Sequence, residues 1–96
     1  SLDHINIPKN IEKIPDHMFE GCTNLKKVEL HEQLTEIGKR AFFGCSSLDF
    51  LIIPDSVQQI GEDAFTNTDK QFIIQCSFGS YAEEYARKNK FKYQLV

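Results

Sequence analysis

The sequence predicts a mixed α/β solenoid, with short parallel strands and short helical turns stacked in rungs and a helix at the C-terminal end. Three observations carry that expectation. The 96-residue chain matches itself when slid by 23 residues. The matching columns are apolar, which is the pattern of units that bury their side chains only against neighbouring units. The match stops near residue 70, where a helix with its own start and stop signals follows.

The columns run without insertion or deletion. Leu2, Leu25 and Leu48 align, followed by Ile5, Val28, Leu51 and Ile74. Ile7, Leu30, Ile53 and Cys76 share the next column. Ile11, Leu34 and Val57 align, then Ile14, Ile37 and Ile60. Phe19, Phe42 and Phe65 form the strongest column. The repeats are therefore 2–24, 25–47 and 48–70, with a degenerate rung and helical end over 71–96, all in one domain over 1–96.

Each unit reads in three parts. His4-Ile5-Asn6-Ile7 and Phe50-Leu51-Ile52-Ile53 alternate as short strands. Pro8 and Pro54 end them, because proline donates nothing to a ladder. Val57-Gln58-Gln59-Ile60 is expected to turn a corner. Gly61-Glu62-Asp63-Ala64-Phe65 is expected to form a single helical turn that sends Phe65 inward, with Gly61 supplying backbone freedom. Gly21-Cys22 and Gly44-Cys45 close their units, and Asn67-Thr68 replaces that pair in the third.

The stretches Ile53-Pro54-Asp55-Ser56-Val57-Gln58-Gln59-Ile60-Gly61-Glu62-Asp63-Ala64-Phe65 and Ile37 to Leu48 resemble the BspA-type leucine-rich repeat. The resemblance covers about residues 2 to 70, and Pro15 and Met18 in the first unit depart from it. It implies a right-handed leucine-rich-repeat solenoid with short parallel strands, short helical turns and a C-terminal capping helix. It also implies a cell-surface or secreted protein that binds other proteins, as several adhesins of that family do.

At the C-terminal end, Ser80-Tyr81-Ala82-Glu83 is a capping box. Tyr81, Ala82, Tyr85 and Ala86 share one helical face, and Glu83 with Arg87 and Glu84 with Lys88 are spaced as ion pairs. Asn89 can end the helix, and Phe91 to Val96 alternates as a strand. The expected role is to close the open end of the stack. No equivalent closure precedes Leu2, so the chain is expected to be the C-terminal part of a longer array. The exposed first rung could otherwise drive self-association.

Composition narrows the function. Eleven Lys and Arg against fourteen Asp and Glu give a charge of -3, so nucleic acid is not an expected partner. No apolar run approaches the roughly 20 residues of a membrane span. The spacing of His4, His17, His31 and the three cysteines offers no metal site, and no catalytic motif or cofactor loop is present. Cys22, Cys45 and Cys76 are expected as buried free thiols, and the histidines as solvated polar residues. The chain is therefore expected not to be an enzyme.

The outward strand positions remain. They change from His4 and Asn6, through Lys27 and Glu29, to Phe50 and Ile52, then Ile73 and Gln75. An apolar cluster of Phe50, Ile52 and Ile73, rimmed by Lys27, Glu29 and His31, is the candidate partner-binding surface for another protein. The competing readings are that another segment covers the cluster, that the chain is purely a structural end of an array, or that it is an accessory domain of a larger enzyme.

Overall fold

Each 23-residue unit makes two short strands. The computed structural model describes residues 3–96, so the expectations for Ser1 and Leu2 lie outside the described residues. The first strands of successive rungs are β1 (His4–Asn6), then β3 (Lys27–Glu29) and β5 (Phe50–Ile52), and the second strands are β2 (Lys13–Ile14), β4 (Glu36–Ile37) and β6 (Gln59–Ile60). β7 (Ile73–Cys76) opens the degenerate rung, and α1 (Tyr81–Lys88) and β8 (Lys92–Leu95) follow. All pairing is parallel, and the 23-residue step sets the register between rungs: Ile5 faces Val28, Leu51 faces Ile74, and Ile14, Ile37 and Ile60 stack. The result is a parallel-strand solenoid of about four turns.

The aromatic column runs through its centre. Phe19 and Phe42 stack at 5.3 Å, Phe42 and Phe65 at 5.5 Å, and Phe65 and Phe72 at 5.3 Å between ring centroids. Leu25, Leu34, Ile37, Leu48, Leu51 and Val57 are fully buried around it. Phe72 extends the column from outside the repeat spacing, in the degenerate rung.

The structure corrects three expectations of local shape. The corner at Val57 to Ile60 contains a strand, because Gly38 N–H donates to Ile14 O and Gly61 N–H to Ile37 O, both at 2.8 Å. This pairing makes the continuous sheet β2-β4-β6. The turns that carry the phenylalanines are not helical. His17, Arg40 and Asp63 have φ of 64°, 55° and 58°, which a right-handed helix forbids. Their main chain bonds between rungs instead, with Phe19 N–H to Ala41 O and Phe42 N–H to Ala64 O at 2.8 Å. A second left-handed column holds Gly21, Gly44 and Asn67, three residue positions 23 apart and occupied by the types that tolerate it. Gly38 and Gly61, by contrast, do not have positive φ. A Cβ on Gly61 would lie 2.4 Å from Lys39 N, so close approach between rungs is what requires glycine there.

At the C-terminal end the capping signals fold as written. Glu83 N–H donates to Ser80 Oγ at 3.2 Å, and Glu83 Oε1 accepts from Gly79 N–H at 2.7 Å, one residue before the cap. Asn89 is the C-cap. Glu84 and Lys88 approach to 3.6 Å, and Glu83 and Arg87 to 4.0 Å. Ala82 and Ala86 are buried, and α1 packs against β7 and β8. β8 pairs parallel with β7, but all four of its residues are exposed.

Tyr85 packs edge-on against Phe65 at 6.1 Å. Burial pushes its hydroxyl from the usual 10.0 up to about 12. The folded state thus favours the neutral phenol. The stability this contributes is complete below about pH 10 and lost as pH rises towards 12. Alkaline unfolding followed by circular dichroism is expected to show that slope, and Tyr85→Phe is expected to flatten it.

Candidate functional site

The strand face is built by alternation. Val28 and Leu51 point into the core, which turns Lys27, Glu29, Phe50 and Ile52 outward. Between β3 and β5 lies a groove of about 450 Å³. Lys27, Glu29, His31, Phe50 and Ile52 all line it. Ile52 is 50% exposed and Phe50 is half-buried. Ile73 stands in register with Phe50 on β7 but does not line the groove, since it lies on the far side of β5. Of the apolar outward residues, Phe50 and Ile52 line the groove, and Ile73, half-buried, stands beside Phe50 in the β5-β7 ladder but outside the groove.

His31 is not the solvated residue expected from its position at a strand end. It is half-buried, with Nε2 2.9 Å from Pro8 O and Nδ1 3.0 Å from Gln33 N–H. Gln33 N–H can only donate, so Nδ1 accepts and Nε2 carries the proton donated to Pro8 O. This ring ties the end of rung two back to rung one. His4 Nε2 lies 2.8 Å from Glu29 Oε2 on the same face, which occupies one of the rim carboxylates.

Sequence reasoning missed two rim acids. Glu32 and Asp55 line the groove beyond the strand ends. They stand one repeat apart, so the 23-residue step itself could have found them. It also missed Val96, which reaches the groove because Val96 N–H donates to Cys76 O at 3.0 Å.

A separate cluster occupies the turn side. Glu20 accepts from His17 Nδ1 at 2.5 Å and from Arg40 Nη2 at 3.0 Å, and Arg40 lies 3.9 Å from the Phe43 ring centre. Hydrogen bonds from His17 and then Arg40 hold the Glu20 carboxyl below its usual range. None of these side chains lines the groove, and Arg40 Nε is buried without a hydrogen-bond partner. Cys45 and Cys76 are buried, whereas Cys22 is only half-buried. Cys45 Sγ donates to Phe19 O at 3.1 Å, and burial, with Cys22 beside it, pushes the Cys45 thiol up to about 11. Among the described residues no group of three His, Cys, Asp or Glu is placed to hold a metal ion. Rung one leaves Ile5, Ile11 and Cys22 partly exposed along its outer edge.

The groove presents the apolar Phe50 and Ile52 between charged residues, with Lys27 at one end and Glu32 and Asp55 at the other. No curated protein matches the chain. A leucine-rich repeat protein from Bacteroides ovatus ATCC 8483, of known crystal structure, has the same fold with a TM-score of 0.62 and 22% identity. The likeness covers 99% of this chain and 30% of that one, so the chain spans about a third of that protein's length. The family model described as "BspA type Leucine rich repeat region (6 copies)" matches residues 1–92. Because that match runs from rung one into the last strand, it rests on the whole stack rather than on one motif, and the chain belongs to the BspA-type leucine-rich repeat family.

Proposed function

We propose that this chain is a non-enzymatic protein-interaction module of a cell-surface or secreted protein, and that it binds through the strand face around Phe50 and Ile52. The observation that carries the reading is the groove itself: a half-exposed Ile52 and a half-buried Phe50 between Lys27 at one end and Glu32 and Asp55 at the other. Apolar anchors inside a polar rim are the usual anatomy of a protein contact surface. The family adds support, since its members are generally protein-interaction modules and are usually extracellular or surface-associated. No helix among the described residues is long and apolar enough to cross a membrane. The mechanism is display of the strand face, with the Phe column and the continuous β2-β4-β6 sheet holding the back of the stack together. In this reading α1 closes the C-terminal end, and the partly exposed edge of rung one is where further rungs or a second copy would stack.

The test is affinity capture from a mixture of extracellular proteins by the immobilised chain and by its Phe50→Asp/Ile52→Asp variant. At least one protein is expected to bind the parent and to lose about tenfold or more in affinity for the variant, consistent with loss of a contact anchor. Thermal melting of both chains accompanies the capture. Equal capture by the two chains, or a variant that no longer folds while alanine at the same positions leaves all binding intact, would show that these residues serve the core.

A further inference from the structure

The strand face consists of two separate ladders. β1 pairs with β3, and β5 with β7, which in turn pairs with β8, but β3 and β5 do not pair. The missing bonds can be named from the repeat. Lys27 N–H donates to Asp3 O at 3.1 Å, and Ile7 N–H to Glu29 O at 3.0 Å. Their counterparts two rungs along are Ile73 N–H to Asp49 O at 3.0 Å and Ile53 N–H to Gln75 O at 2.9 Å. Between β3 and β5 the counterparts would be Phe50 N–H to Lys26 O and Leu30 N–H to Ile52 O. Neither forms among the described residues.

The opening is one-sided. The other faces of the same two rungs stay joined, through Gly61 N–H to Ile37 O at 2.8 Å and Arg40 N–H to Glu62 O at 3.0 Å. His31 helps explain the direction, since its ring bonds rung two to Pro8 of rung one rather than to rung three. The seam thus has two facing strand edges, a pivot behind it and the groove in front. Unpaired strand edges are a template for a further strand, which supplies donors and acceptors at the right spacing.

We infer that the seam between β3 and β5 is a docking slot for one extended peptide segment of a partner protein, which enters as an added strand. Widening by one strand spacing of about 4.8 Å, pivoting on the β2-β4-β6 side, converts both unpaired edges into ladders. Charge fixes the composition of the segment. Among the described residues Glu32 and Asp55 form no ion pair, and neither does Lys27 at the opposite end of the groove. The segment therefore carries an apolar residue for Phe50 and Ile52 and a Lys or Arg towards Glu32 and Asp55. This inference rests on the strand face being the binding surface, and it adds the form and charge of what is bound.

The test uses amide exchange and a library of random linear 12-residue peptides displayed on phage. In the free chain the Leu30 and Phe50 amides are expected to exchange much faster than those of Ile53 and Ile73. Selected peptides are expected to combine an apolar residue with a basic one, and Glu32→Lys/Asp55→Lys is expected to turn the selection towards acidic peptides. A Lys26→Cys/Asp49→Cys chain, at two exposed positions one repeat apart beside the seam and outside the groove lining, provides a lock across it: reduced, it is expected to bind the selected peptides, and oxidised, to lose about tenfold or more. Slow exchange at Leu30 and Phe50, no enriched sequence, or equal binding to the oxidised lock would overturn the slot. If the slot falls while Phe50→Asp/Ile52→Asp still abolishes capture of a folded protein, the strand-face function stands and only the strand-entry mode is lost.

Discussion

Phe42→Ala is expected to destabilise the chain by about 4 kcal/mol, the upper range for deleting a buried aromatic side chain. Phe42 is 0% exposed and stacks on Phe19 at 5.3 Å and on Phe65 at 5.5 Å, so its removal breaks the aromatic column in the middle. Phe19 lies at the edge of the described stack, is 6% exposed, and stacks on Phe42 alone. Phe19→Ala is therefore expected to cost about half as much, because one side of its cavity can fill with water or collapse. Urea unfolding monitored by circular dichroism measures both. A domain of this size has a total stability of about 5–15 kcal/mol, so Phe42→Ala could be partly unfolded in water. Phe42→Leu, expected to cost about 1.5 kcal/mol, keeps the ranking measurable. Equal losses at the two positions would mean that stability is not carried by contacts between neighbouring rungs.

That experiment probes the part of the fold that was most legible. The 23-residue step, the Phe19-Phe42-Phe65 column and the capping signals at Ser80, Glu83 and Asn89 can be read from the chain because each depends on residue type at fixed spacing. The second strands could not be read in that way. Two residues such as Glu36–Ile37 carry no alternation, and only the neighbouring rung makes them a strand. Phe72 joins the aromatic column from a position the repeat does not mark. The candidate site shows the same division. Outward alternation gave Lys27, Glu29, Phe50 and Ile52, whereas the unpaired seam that separates β3 from β5 arises from three-dimensional stacking and from the bond of His31 to Pro8. A strand end was visible at His31, but not that its ring would take the place of solvent.

Gly61→Ala is expected to cost about 3 kcal/mol, and the comparison with Gly21→Ala separates two roles that glycine plays in this repeat. At Gly61 the added Cβ would meet Lys39 N at 2.4 Å and Lys39 Cα at 2.6 Å. Those are backbone atoms, and the Lys39 main chain is held on both sides, with Lys39 N–H donating to Asp16 Oδ1 at 2.8 Å and His17 N–H to Lys39 O at 2.9 Å. The clash cannot be relieved by a side-chain rotation, so the rungs must separate and strain the sheet β2-β4-β6. At Gly21 a Cβ meets nothing within 4 Å, and the penalty comes only from φ of 78°, about 1 kcal/mol. Asn67 occupies the same left-handed column with φ of 62°, which shows that a side chain is tolerated there. Gly38→Ala, with Asp16 N and Ile14 O both at 2.6 Å, should behave as Gly61→Ala does. Denaturant midpoints for the three variants decide the matter: if Gly21→Ala proves the most damaging, backbone conformation and not the spacing between rungs governs the glycine columns. Pro15 supplies the internal control. It stands in the column of Gly38 and Gly61 but is exposed and faces no described rung, so a ring that the inner rungs could not admit fits there, and Pro15→Gly is expected to destabilise by less than about 1 kcal/mol through chain entropy alone.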